Sequence, residues 1–157
     1  MRITKRTNIA TRVLMYCAVH NTSLVTKSQI ARACNASEHH LGQIVNQLAQ
    51  LGYLETRRGR HGGLRLARTP DHIALGPLFR AFEAKAPLAE CFDPEANTCP
   101  LVDACRLRKA LTKAAEAFYA ALDDVTLDDL VANNASLSQV FGLDDPSSSL
   151  APAEPLE

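Results

Sequence analysis

Three of the chain's five cysteines, Cys91, Cys99 and Cys105, fall within one fifteen-residue stretch that is polar and broken by Pro94 and Pro100. Thiolates are soft ligands, suited to zinc and to iron–sulfur clusters. Structural zinc sites usually draw on closely spaced cysteine pairs, whereas the gaps here hold seven and five residues. Wide gaps in a loop suit a larger object whose ligands stand several ångströms apart, which favours a cluster. Three thiols leave a fourth position to be filled from elsewhere or left open, and an incompletely thiolated cluster is labile, better suited to sensing than to electron transfer. Glu90, Asp93, Glu95 and Asp103 are near enough in sequence to compete for that position, although a solvated loop charge is the commoner role for each. A disulfide with a spare thiol is the competing reading; the odd cysteine count and a chain long enough for a core without staples weigh against it.

Other chemistry is not visible. No nucleophile, base and orienter arrangement, no glycine-rich phosphate loop and no HExxH spacing is present, so catalysis is not expected. The formal net charge of zero conceals a division: residues 1 to 70 hold eleven Lys and Arg against two acids, and the remainder six against fifteen. Such asymmetry points to nucleic-acid binding by the basic half. Met1 to Arg6 leads into alternating polar and apolar residues, so neither a signal peptide nor a membrane span is expected, and the protein is placed in the cytoplasm with reduced thiols.

The elements that must position these residues follow from local patterns. Apolar spacing predicts a helix over Thr7 to His20 with Cys17 on its buried stripe. Thr26 with Gln29 has the capping-box form and opens a short helix, Lys27 to Ala33. Cys34-Asn35-Ala36 makes a tight turn in which Cys34 is structural, and Ser37 caps a second helix to about Gln50 with the stripe Leu41, Ile44, Val45 and Leu48. Two helices joined by three residues, the second opening with Glu38, His39, His40 and Gln43 exposed, form a helix-turn-helix. His39 and His40 are adjacent and point about 100° apart, which suits groove-facing side chains better than a shared metal.

Tyr53 to Thr56 and Leu64 to Ala67 read as paired strands, and Arg57, Arg58, Arg60 and His61 crowd the glycine-rich tip between them. A basic β-wing of this kind suits a minor groove or phosphates. A helix opening near Leu75 and stopping before Pro87 precedes the cysteine loop. From Asp103 a long helix carries Leu107, Leu111, Ala114, Ala115, Phe118 and Leu122, an apolar face that needs a second copy of the chain to cover it. Thr126 caps a short helix through Val131. Beyond Asp144 the acidic, proline- and serine-rich tail is expected to be disordered. The division expected is 1–86 winged helix-turn-helix, 87–106 cluster loop, 107–143 dimerisation helix with a short C-terminal helix, and 144–157 tail. The fold class is mainly α, a winged helix-turn-helix with a two-stranded β-wing, a cysteine-rich loop and a long dimerisation helix.

Met1-Arg2-Ile3-Thr4, the wing from Arg57 to Leu66, and the three-cysteine loop running into Cys105-Arg106-Leu107-Arg108-Lys109-Ala110-Leu111 resemble the Rrf2 family of winged-helix iron–sulfur regulators, from Met1 to about Leu143. The likeness is nearest to the family's nitric-oxide-sensing repressors, with its iron-responsive regulators as the rival. It implies a homodimer on two-fold related double-stranded operator DNA, an iron–sulfur cluster on Cys91, Cys99 and Cys105 (4Fe–4S in preference to 2Fe–2S), and nitric oxide as the signal. Some relatives take a fourth ligand from an aspartate on the partner's first helix; the matching position here is Asn8, whose neutral amide is a weak ligand. The DNA contacts expected from the residues are the helix from Ser37 in a major groove, with Glu38, His39, His40 and Gln43 at base edges, and Lys5, Lys27, Arg32, Arg57, Arg58, Arg60 and His61 at phosphates or minor groove. A winged-helix module with a structural zinc and no sensing role is the alternative from a different class.

Overall fold

The computed structural model describes residues 3–60, 62–84 and 86–142. His61 of the wing and the tail expected to be disordered lie outside the described residues. Helix α1 spans Lys5–Val19, two residues earlier than its apolar spacing predicts, because the Thr4 hydroxyl accepts from the Thr7 N–H at 3.3 Å and starts the helix there. Its stripe of Ile9, Ala10, Val13, Leu14 and Cys17 is buried at the centre of the core. Helix α2, Lys27–Ala33, has the expected capping box, and α3, Glu38–Gln50, is capped by Ser37. Asn35 takes φ 48°, turning the chain between them in the left-handed region that asparagine tolerates. The Cys34 carbonyl in this turn accepts from Arg12 of α1 at 3.2 Å.

Strands β1 (Leu54–Arg57) and β2 (Gly63–Leu66) pair antiparallel in the register Leu54 with Leu66 and Arg57 with Gly63. The wing is not tethered by its own hairpin alone. Val25, just before α2, exchanges two backbone hydrogen bonds with Leu64, at 3.0 and 2.8 Å. A side chain on Gly63 would strike the Val25 backbone, so glycine is required for this close approach.

Helix α4 (Leu75–Glu83) lies against α5 (Arg106–Asp123). Arg80 grips Asp123 through two bonds, at 2.5 and 2.8 Å, and holds its carboxyl below the usual carboxylate range. Helix α5 starts at Arg106 rather than at Asp103, since Cys105 serves as its N-cap. The chain then returns: Leu75 N–H donates to Val125 and Leu127 N–H to Ile73, at 2.9 and 2.8 Å. That pairing carries α6 (Leu127–Val131) back onto α1, and Leu127 is fully buried in the same core as Val13 and Leu41. A further helix, α7 (Ala135–Val140), which the sequence pattern did not indicate, follows. Phe141 packs edge-on against Tyr16, and its carbonyl meets His20 Nε2 at 3.1 Å. Helix α6 and Phe141, at the end of α7, therefore pack on the winged unit's core, and α5 is held to it through α4. Of the eighteen residues of α5 only Ala115 is buried. Among the described residues no helix is long and apolar enough to cross a membrane.

Candidate nucleic-acid interface and thiol loop

The core side of α3 is sealed by Leu41, Ile44, Val45 and Leu48, so the side opposite them is presented outward. Glu38, His39, His40 and Gln43 are all exposed, as is Ser37 at the cap. Arg57, Arg58 and Arg60 stand exposed on the wing. The strand's one acid, Glu55, is taken by Arg65 at 2.6 Å, so these three arginines have no carboxylate partner among the described residues. Between wing and α3 runs a groove of about 370 Å³ lined by Thr26, Lys27, Asn46, Thr56, Arg57 and Arg58. Lys27 thus joins the wing, as expected from sequence. Asn46, which the apolar spacing already leaves off the buried stripe of α3, joins the groove three residues after Gln43, and Thr26 is an addition. Arg32 is exposed at the last turn of α2, whereas Lys5 lines a separate hollow of about 550 Å³ with Ile3, Thr4 and Asn8.

Two polar links, one part-buried and one centred on a buried carboxylate, hold this face to the rest of the fold, and neither was anticipated. Gln47 of α3 accepts from Arg6 of α1 at 3.0 and 2.7 Å and donates to the Ala81 carbonyl of α4 at 3.4 Å. Glu83, at the end of α4 and 7% exposed, accepts from the Thr4 N–H at 2.9 Å, from the Thr4 hydroxyl at 3.0 Å and from the Thr7 hydroxyl. Glu83 falls on the apolar face of α4 beside Leu75, Leu78 and Phe82. A charge at such a position was its only sequence signal.

The cysteine loop begins where α4 ends. Cys91 lies in the short 3-10 turn Glu90–Phe92, Cys99 follows Asn97, whose side chain accepts from the Cys99 N–H at 3.1 Å, and Cys105 caps α5. All three are free and half-buried. Arg108 joins the two ends of the loop: its backbone N–H donates to the Cys105 sulfur at 3.4 Å, its Nε to the Cys91 carbonyl at 3.1 Å, and its guanidinium lies over the Phe92 ring. Glu90 accepts from the Thr98 N–H and hydroxyl at 2.7 and 2.5 Å, which hold its carboxyl below the usual range. Asp93 accepts from the N–H groups of Glu95 and Ala96. Two of the carboxylates near enough in sequence to compete as ligands are thus staples of the loop itself. Among the described residues, no three or more His, Cys, Asp or Glu side chains converge closely enough to hold a metal ion. The donor set fits a thiophilic group nonetheless: three unpaired thiols on one loop whose ends are brought together by Arg108 and whose nearest acids are engaged.

The other two thiols differ in kind. Burial pushes Cys17 up to about 12 and Cys34 up to about 11. At neutral pH both stay protonated, and thiolate is the reactive form. An alkylating reagent should therefore label the three loop cysteines of the folded chain and reach Cys17 and Cys34 only after unfolding, as mass spectrometry of the labelled peptides would show. Because the fold keeps these thiols neutral, their contribution to stability is full below the unfolded thiol's value of about 8.5 and is lost as pH rises toward about 12.

A helix-turn-helix with an exposed second helix, a basic wing and a groove between them defines a winged-helix DNA-binding protein. The Rrf2 family, described as iron-dependent transcriptional regulators, matches residues 3–133. The chain is 46% identical over 142 residues to the HTH-type transcriptional regulator NsrR of Geobacillus kaustophilus, covering 90% of this chain and 97% of that one. It is 43% identical over 135 residues to the HTH-type transcriptional repressor NsrR of Streptomyces coelicolor, covering 84% and 89%. Its fold resembles that of CymR, the global cysteine regulator of Bacillus subtilis, with 25% identity, a TM-score of 0.63 and coverage of 83% and 96%. The chain belongs to the Rrf2 family of transcriptional regulators, and is a DNA-binding regulator rather than an enzyme.

Proposed function

We propose that this protein is a homodimeric repressor whose hold on operator DNA depends on an iron–sulfur cluster at Cys91, Cys99 and Cys105, with nitric oxide as its signal. The observation that carries the reading is the thiol loop itself: three free, half-buried cysteines set between α4 and the start of α5. When bound, such a cluster supplies thiolate-held iron open to a small diatomic ligand. The residues of this chain do the rest. Leu107 is 65% exposed at the start of α5, and Leu88 and Leu101 of the loop are exposed as well. This apolar surface is the surface that a second copy would cover. Ser37, Glu38, His39, His40 and Gln43 meet base edges in a major groove, and Lys5, Lys27, Arg32, Arg57, Arg58 and Arg60 meet phosphates or a minor groove. His61 completes that set by sequence. The loop leaves α4 directly after Glu83 and Ala81, which are bonded to α1 and α3, so a change in loop conformation acts at the root of the recognition helix.

The decisive experiment is visible absorbance with iron and sulfide assay on protein purified without oxygen, before and after stoichiometric nitric oxide, with operator binding followed on the same samples. Colour that bleaches as the DNA is released is expected. Release on iron chelation but not on nitric oxide would make the protein iron-responsive, and a colourless protein with one zinc per chain would leave a structural-metal module. Asn8 is exposed on α1. If its partner-subunit counterpart lies at the fourth ligand position, Asn8→Asp should slow cluster loss in air several-fold; unchanged decay would remove Asn8 from the site.

A further inference from the structure

The chain has seven glycines. Six answer to the fold: Gly52, Gly59 and Gly142 take positive φ, and a Cβ on Gly62, Gly63 or Gly76 would run into backbone or the Asp123 carboxylate. Gly42 does neither. It lies inside α3 in ordinary helical conformation, and a Cβ built on it meets no described atom within 4 Å. Glycine in a helix interior is destabilising relative to alanine, since it loses more backbone entropy on folding. Nothing within the described chain therefore favours glycine at this position.

Its neighbours show what does. Glu38 and His39 precede it by four and three residues, Gln43 and Asn46 follow by one and four, and all are exposed. At 3.6 residues per turn Glu38, His39 and Asn46 lie on Gly42's side of α3 and Gln43 about 100° round from it, so these polar side chains frame a half-buried Gly42 at the border between the exposed face and the buried stripe, next to Val45. The face presented to DNA thus has a depression at its margin, with polar side chains along its exposed side.

We propose that Gly42 is a close-approach position for DNA: the missing side chain lets a base-pair edge come against the helix backbone, so that the framing residues reach the floor of the major groove. This rests on α3 being the helix that enters the groove. Glycine here sacrifices helix stability for depth of insertion.

The test uses Gly42→Ala in the full-length protein, purified without oxygen, and a duplex selected from a randomised pool by the unmodified protein. The unfolding midpoint should rise by about 2–4 °C, while affinity for the selected duplex falls about tenfold and affinity for an unselected duplex of equal length is unchanged. Undiminished binding to the selected duplex would overturn the proposal. So would an equal loss on both duplexes, which would place Gly42 against phosphates, or a lowered midpoint, which would reveal an internal reason for the glycine. Gln43→Ala separates the two levels. If it weakens selective binding and Gly42→Ala does not, close approach is wrong and the placement of α3 stands; if neither weakens it, the placement of α3 falls as well.

Discussion

Replacing Cys99 with alanine should lower operator affinity on the order of 100-fold, at the upper end of typical coupling between sites, while leaving a folded protein. Cys99 is half-buried in a polar loop; its backbone N–H bonds to Asn97, its carbonyl to Val102, and no core residue depends on it. A surface substitution of this kind shifts stability by no more than about 0.5 kcal/mol. The thiol set, by contrast, drops below what a cluster needs. Cys17→Ala supplies the opposite pattern: a core thiol that is 2% exposed leaves a small void, so the unfolding midpoint should fall while metal content and DNA binding persist. Iron content, thermal melting and operator titration on the two variants check both halves. Full-strength binding by Cys99→Ala would refute control by the loop.

Glu83→Ala should destabilise the fold by about 3 kcal/mol, lowering the unfolding midpoint by roughly 6–12 °C. One buried carboxylate collects three donors, the N–H and hydroxyl of Thr4 and the hydroxyl of Thr7, at the N-terminus of the central helix. Position reinforces the bonds, because the helix macrodipole favours negative charge at that end. Removing the acceptor leaves the Thr7 hydroxyl, on a residue that is fully buried, with only the Thr4 hydroxyl at 3.0 Å, and takes the carboxylate from both Thr4 donors. Glu83→Gln keeps an acceptor oxygen but loses the charge, so its loss should be about 1 kcal/mol. A fall of less than 1 kcal/mol in Glu83→Ala by denaturant unfolding would mean that the carboxylate is dispensable. Because α4 passes directly into the cysteine loop after this residue, the same variant should also loosen the attachment of that loop to α1.

The parts of this protein that were legible in the sequence are those governed by neighbours along the chain. Thr26 with Gln29 and Ser37 before α3 announced two helix starts through capping, and the steps of three and four from Leu41 to Leu48 named the buried side of α3. The arginines and glycines between two short apolar runs named the wing, and the three widely spaced cysteines named the loop. Each of these is a local signal, carried by residues within a turn or a hairpin of one another.

What the tertiary structure decided involves partners far apart in sequence. Periodicity tells which face of a helix is apolar, but not which element covers it. Hence Leu127 joins the core through a pairing of residues 73–75 with 125–127, and Glu83 turns out to be buried against Thr4 and Thr7. Gln47, which reads as one more polar residue on α3, becomes the meeting point of α1 and α4 only when Arg6 and Ala81 are brought to it. Arg108 likewise reads as a solvated cation until the loop folds and sets it between Cys91 and Cys105. The emptiness around Gly42 is of the same kind, since a space is defined by everything that does not enter it, and only the assembled fold specifies that.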